Sequence, residues 1–86
     1  MACIVPDRAA GARYERILMY RMVAQDMALT EAAKRKDCDM APRVVSVRCE
    51  AGFVLIDVQY SSEGPRGRCA LYEYRTRDGV LTLAAD

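Results

Sequence analysis

The sequence contains no histidine and no tryptophan, and aromatic residues make up only 7% of its 86 positions. Without histidine, the chain lacks the side chain that most often acts as a general acid or base near neutral pH. It also lacks the G-x-S-x-G turn of serine hydrolases and the glycine-rich loops that cradle phosphate groups. We therefore expect a protein that is not an enzyme, with no cofactor and no small-molecule substrate.

Cysteine is present at four positions but never as a closely spaced pair. Cys3, Cys38, Cys49 and Cys69 are separated by gaps that contain no C-x-x-C motif. Structural zinc sites use such pairs, and a mixed site would also need histidine. The sequence therefore predicts free thiols in preference to a disulfide or a metal site.

Long apolar runs and an excess of charge are absent as well. No stretch approaches the ~18 apolar residues of a membrane span, and the short run at residues 2–5 is stopped by Pro6. Thirteen basic and twelve acidic residues leave a net charge of +1, which favours neither nucleic acid nor a membrane surface. We expect a cytoplasmic protein that has no membrane partner.

What the chain does have is the composition of a small folded domain. Hydrophobic residues make up 52% and charged residues 29% of the sequence. These fractions are typical of a globular protein, and 86 residues are enough for one domain with a modest core. We therefore predict a single α+β domain over residues 1–86.

Residues 9–33 predict a helix that is apolar on two sides. A helix in a small domain needs only one apolar stripe to bury itself. On a helical wheel one face collects Ile17, Tyr20, Val23, Ala24, Met27 and Ala28. The other collects Tyr14, Leu18, Met22, Leu29, Ala32 and Ala33. One face can cover a sheet, and the other is a candidate surface for a partner.

The length of this helix leaves two alternatives open. A helix over residues 8–36, capped by Asp7 and ending in the basic residues 34–36, would be about 43 Å long. Predicted strands of about seven residues reach only about 23 Å. Either the helix overhangs the sheet, or it breaks near Leu29 and Thr30, where Thr30 could cap a new helix.

The second half of the chain changes to a period of two. Alternation predicts strands at residues 43–49, 53–60, 69–76 and 80–84, and Asp78-Gly79 indicates a hairpin. Residues 2–5 could add an edge strand or be a frayed end. The predicted core face consists of Val45, Val47, Val54, Ile56, Val58, Tyr72, Tyr74, Leu81 and Leu83.

These elements predict an α+β fold in which one long helix, continuous or broken, packs on a four-stranded antiparallel meander. The order of a helix followed by four strands is similar to that of cystatin-like folds. This resemblance implies a helix laid across one face of the sheet. It implies no function, because the sequence has no cystatin motif at the corresponding turns.

The apolar residues in excess of one small core are the candidate partner-binding site. Methionine on a helix suits adaptable binding surfaces, and Phe53 and Leu55 interrupt the otherwise polar outer side of the sheet. The candidate residues are Leu18, Met19, Met22, Met27, Leu29, Phe53 and Leu55. They indicate a small protein-binding module, either a homodimer or an inhibitor or accessory factor of the phage or mobile-element type that occupies a surface of a larger partner.

Two other functions remain open. Arg66, Arg68, Arg75 and Arg77 could form a basic patch for RNA or single-stranded DNA. In addition, the tail YEYRTRDGV at residues 72–80 resembles the last hairpin of the small ribonuclease toxins of the RelE type, which share a helix-then-sheet layout. That resemblance implies RNA cleavage as a second alternative.

Overall fold

The helix and the four strands follow one another in the predicted order. A computed structural model describes the backbone of residues 8–86 and the side chains from Arg16 onward. The elements are helix α1 (Arg8–Ala33) and strands β1 (Arg43–Glu50), β2 (Phe53–Ser61), β3 (Arg68–Arg75) and β4 (Val80–Ala85). The edge strand considered for residues 2–5 and the Asp7 cap lie outside the described residues.

The strands form one antiparallel sheet in the order β1-β2-β3-β4. Each strand therefore pairs with its neighbour in sequence, and the predicted meander is confirmed. Helix α1 packs mainly on β2 and β1, on one side of the sheet. The α+β fold with one helix on four antiparallel strands is confirmed.

Helix α1 runs through Thr30 without a break. The Thr30 hydroxyl donates a hydrogen bond to the Asp26 carbonyl oxygen, four residues earlier, at 2.8 Å. It bonds back into its own helix and does not cap a new one, so of the two alternatives the broken helix is wrong and the continuous helix is confirmed. The helix ends at Ala33, and Lys34 donates its N–H to the Glu31 carbonyl in a closing turn, so the predicted extension to residue 36 is also wrong.

The continuous helix is longer than the sheet on which it lies. Its 26 residues span about 39 Å, whereas the nine residues of β2 span about 30 Å. The later part of the helix supplies the buried contacts. Ala24, Ala28 and Ala32 are fully buried at spacings of four residues, facing the buried side chains of β2. Their small size lets the helix lie close to the sheet.

Because of a bulge in β1, the prediction that Val45 lies in the core is wrong. The β1–β2 register shifts between Val44 and Ser46, so Val44 lies opposite Val58 and packs against the core. Val45 is 51% exposed. A strict period of two places Val45 inside, but the extra residue of a bulge reverses the side of the strand on which the next residues lie.

The prediction that Leu83 lies in the core is also wrong. Its side chain lies on the same side of the sheet as Tyr72, its partner in β3, yet it is 49% exposed. Because one helix, about 10 Å wide, covers mainly β1 and β2, the helix-facing side of β4 is left largely open.

Candidate functional site

The described part of the helix before Ala24 presents large apolar side chains to solvent. Five of them are classed as exposed, with Met19 at 63% and Met22 at 67%. We call them the exposed helix segment: Ile17, Leu18, Met19, Met22 and Val23. They point in several directions around the helix, because consecutive helical residues are rotated by about 100°. The fold therefore leaves most apolar side chains in this part of the helix uncovered.

Neither predicted face of the helix is buried as a whole. Tyr20, Met27 and Leu29 are partly buried against the core, although Leu29 belongs to the opposite face from the other two. Ile17 and Val23, from the first face, are exposed. Whether an apolar residue of α1 is buried depends more on its position along the helix than on the face to which it belongs. The candidate residues Met27 and Leu29 therefore lie at the margin of the core, and Leu18, Met19 and Met22 lie in solvent.

A groove connects the exposed helix segment with the turn between β1 and β2. It has a volume of about 260 Å³ and is lined by Ile17, Tyr20, Phe53 and Val54 together with the turn residues. Phe53, a predicted partner-binding residue, borders this groove at the start of β2, although its register position is on the side of the sheet opposite the helix. The apolar surface of the helix continues onto the end of the sheet.

The outer side of the sheet carries the remaining candidate, Leu55. The register places Leu55 opposite Glu73 and Leu71 opposite Asp57, so the two leucines are diagonal neighbours on one face. Phe53 lies on the same face, opposite Arg75. Charged side chains alternate with the apolar ones here, which keeps the apolar area small. Phe53, Leu55 and Leu71 are each half-buried, whereas the five side chains of the exposed helix segment are exposed.

The four candidate arginines are divided between the two ends of β3. Arg66 and Arg68 lie where β3 begins, and Arg75 and Arg77 lie where it ends, about 23 Å away. Two of them contact carboxylates, since Arg75 Nη2 is 2.9 Å from Asp78 Oδ2 and Arg68 Nη2 is 3.8 Å from Asp37 Oδ2. The fold does not bring the four together as one basic patch, and nucleic-acid binding stays a prediction.

The hairpin that resembles the ribonuclease toxins contributes its tyrosines to the core. Tyr72 and Tyr74 are both buried beneath the helix side of the sheet. Their hydroxyl-bearing rings are therefore packing groups in this chain. The ribonuclease alternative stays a prediction, resting on the sequence of the hairpin.

A polar cluster at the end of α1 was not predicted from the sequence. The Arg35 guanidinium donates to Asp86 Oδ2 at 2.8 Å and to Asp37 Oδ1 at 3.1 Å, and its Cζ lies 4.1 Å from the centroid of the Tyr60 ring. Tyr60, 1% exposed, donates its hydroxyl to Asp86 Oδ1 at 3.2 Å. Because 51 residues separate Arg35 from Asp86, no local pattern could reveal this pairing.

Hydrogen bonds within and beside this cluster shift its carboxyl groups towards the charged form. Those from Arg35 hold the pKa of Asp37 and the pKa of Asp86 below the ordinary value of 3.8. Nearby, the backbone N–H of Ser62 and the hydroxyl of Ser61 lower the pKa of Asp39. All three carboxylates accept hydrogen bonds from other residues of the chain. These hydrogen bonds connect separate elements of the fold.

Cys3 lies outside the described residues, and the three cysteines that the structure describes do not share a site. Cys38, Cys49 and Cys69 are free thiols, and residues with ligand chemistry do not gather into a metal-binding group in the part of the chain that the structure describes. Burial raises the pKa of the Cys69 thiol, which makes its reactive thiolate scarcer. Cys49 is exposed near the groove beside Ile17.

Comparisons with protein-family models, with curated proteins and with solved structures found no match to this chain. The cystatin-like layering is therefore not confirmed beyond the shared order of a helix and four strands. Within the described residues, α1 does not combine the length and the apolar character that crossing a bilayer requires. Any function must be argued from the surfaces of the molecule itself.

Proposed function

We propose that this protein is a small protein-binding module that occupies a surface of a larger partner through the exposed helix segment. The observation that carries the proposal is the exposure of five large apolar side chains within seven residues of one helix. An inhibitor or accessory factor of the kind that phages and mobile elements encode fits this description. The proposal includes the cytoplasmic location expected from the sequence.

Physical reasoning supports an apolar partner surface. Fully burying one leucine, valine or methionine side chain is favourable by about 1.5–3 kcal/mol relative to leaving it exposed. A partner that covers several of these side chains would therefore gain a large part of its binding free energy from them. Apolar side chains that are exposed close together often mark a site of protein–protein interaction. The methionines can adjust their rotamers to the contour of a partner. The groove between Ile17 and Phe53 would take a side chain of that partner.

Affinity capture from the native host, followed by mass spectrometry, tests this proposal. We compare the unaltered chain with the double variant Met19→Ser/Met22→Ser, whose two side chains are the most exposed of the segment. We expect one protein complex to be enriched by the unaltered chain and reduced at least tenfold by the double variant, which corresponds to a loss of about 1.4 kcal/mol or more.

The variant Arg21→Gln is the matched control. Arg21 is exposed in the same stretch of the helix, so this change removes a charge but keeps every apolar side chain. It should capture the same complex as the unaltered chain. Recovery of the same proteins by all three chains would contradict the proposal, and so would loss of capture by Arg21→Gln alone, which would indicate a charged contact.

A further inference from the structure

One side of helix α1 carries four exposed side chains at the spacing that helices use to pack against one another. The residues are Arg16, Met19, Val23 and Asp26, separated by three, four and three residues. This spacing is that of alternating a and d positions in a heptad. At about 100° per residue, all four lie within an arc of about 80°. They form one face of the helix, which we call the pairing face.

The pairing face is directed away from the sheet. Ala28, which is fully buried in the core, lies about 160° around the helix from the middle of this face. The strands of the same chain therefore do not cover it, and all four of its side chains are exposed. Tyr20 and Met22 border the face, each about 40° beyond one of its edges. Another helix can approach this face without displacing the sheet.

The charges along the helix select the occupant of this face. Residues 16–25 include two arginines and no acidic residue, whereas residues 26–33 include one aspartate, one glutamate and no basic residue. Among the described residues, neither Arg16 nor Asp26 takes part in an ion pair. A second copy of the helix in the antiparallel direction brings the basic part of each helix against the acidic part of the other. A parallel copy would bring like charges together, which is unfavourable.

We propose that two copies of this chain pair through the pairing face, with their α1 helices antiparallel and related by a twofold axis at the level of residue 21. This register places Met19 of one copy opposite Val23 of the other, and Arg16 opposite Asp26, and each contact occurs twice. An interface about a twofold axis must be complementary to itself. The order Arg-Met-Val-Asp meets this condition, because reading it in the opposite direction sets each residue against a suitable partner.

The residues around these four fit the same register. Beside the face, the Tyr20 side chains of the two copies approach each other along one border and the Met22 side chains along the other. Farther along the helix, Thr30 and Ala33 continue the spacing, and the sequence has alanine at the two opposing positions, 12 and 9. Small residues at the ends of the contact let two helices approach to about 8–10 Å between their axes.

The contact is small, so we expect a dimer that depends on concentration. Stable interfaces bury about 1,200 Å² or more, and a pair of helices in contact over a few turns falls at the lower end of this range. The dissociation constant should therefore be micromolar. The dimer covers Met19 and Val23, and so withholds part of the exposed helix segment from the larger partner. This consequence rests on the proposed function, whereas the dimer itself does not.

Sedimentation velocity of the purified chain, from about 1 μM to about 500 μM, tests the dimer. We compare the unaltered chain with the single variants Arg16→Asp and Asp26→Arg. In either variant both Arg16–Asp26 contacts of the dimer become contacts between like charges. We expect the unaltered chain to dimerise and each variant to raise the dissociation constant about tenfold or more, with an unchanged circular dichroism spectrum.

Exchange of the two charges tests the register and the direction of the helices. The double variant Arg16→Asp/Asp26→Arg restores opposite charges at both contacts, so it should dimerise as the unaltered chain does. An equimolar mixture of the two single variants should form a mixed dimer for the same reason. Parallel helices would set like charges against each other in the double variant. Failure of the double variant to recover the dimer would therefore overturn the proposed arrangement.

The matched control is Arg21→Asp. Arg21 is also exposed, but it lies on the opposite side of the helix from the pairing face, so the same change of charge should leave the dimer intact. A chain that is monomeric throughout the range would overturn the inference. Dimerisation of Arg16→Asp and Asp26→Arg equal to that of the unaltered chain would also overturn it.

Capture of the larger partner separates this inference from the proposed function. Asp26→Arg keeps all five side chains of the exposed helix segment but should not dimerise. Immobilised at a concentration where the unaltered chain is mostly dimeric, it should capture about twofold more partner or better, because more of it is competent to bind. Capture without a dimer would contradict this inference alone, and a dimer without any captured partner would contradict the proposed function. Equal capture by the two chains would contradict the competition between the dimer and the partner.

Discussion

Ala28 shows how much the packing of this fold depends on a small side chain. It is fully buried between the helix and the sheet. We expect Ala28→Leu to lower the free energy of unfolding by about 1–3 kcal/mol, because three added carbons must force the helix away from β2. Denaturant unfolding measures the effect. Ala33→Leu, at the exposed end of the same helix, should change it by less than about 0.5 kcal/mol.

The alanines also show what a helical wheel cannot decide. The wheel assigns Ala24 and Ala28 to one apolar face and Ala32 to the other, whereas all three are buried together. A wheel ranks residues by direction and polarity, but closeness of approach depends on side-chain volume. Two apolar faces were predictable from the sequence. Which of their members lie in the core was not, and the candidate site could therefore be outlined only in part.

Among the connecting elements, the loop between β2 and β3 is the most tightly constrained. Gly67 has a φ of +73°, and a Cβ there would contact the Gln59 side-chain amide and lie 2.7 Å from the Ser61 carbonyl oxygen. Gly52 has a similar φ of +88° but open space around it. We expect Gly52→Ala to cost about 1–2 kcal/mol from the backbone alone, and Gly67→Ala to cost about 1–3 kcal/mol more. Thermal unfolding of the pair separates conformational strain from steric contact, and equal losses would contradict this account.

The strands were predictable to within one residue at each end, because alternation and turn residues are local signals. The bulge at Val45 was not predictable, since Val44 and Val45 are equally apolar and only the pairing with β2 distinguishes them. Thr30 was misleading for a related reason. A threonine before an acidic residue suits a helix cap, yet its hydroxyl bonds equally well to a carbonyl of the preceding turn.

At the scale of the whole molecule, the cluster around Arg35 links stability to pH. The pKa values of Asp37, Asp39 and Asp86 are lowered in the folded chain. Groups with a depressed folded pKa stabilise the fold above their unfolded pKa, and this contribution is lost as the pH falls through the folded value. We expect stability to decline below about pH 4 as these carboxylates take up protons. Urea unfolding across the acid range measures this.

The variant Arg35→Met identifies the source of that decline. It removes the hydrogen bonds that lower the pKa of Asp37 and of Asp86, and it leaves the contacts of Asp39 with Ser61 and Ser62 intact. The acid dependence should therefore become shallower without disappearing. An unchanged slope would show that these ion pairs, which are partly exposed, contribute little to the fold.

A change in the packing of the buried alanines Ala24, Ala28 and Ala32 would tilt the helix and so displace residues far from them. Met19 lies about 14 Å along the helix from Ala28, so a tilt of roughly 10° at Ala28 would displace Met19 by roughly 2 Å. Such a displacement is enough to spoil the fit of a side chain in a partner's pocket. If the exposed helix segment binds a partner as proposed, substitutions of these buried alanines would weaken that binding without contacting the partner. A screen for loss of binding would then identify residues on the buried side of the helix as well as those on its exposed end.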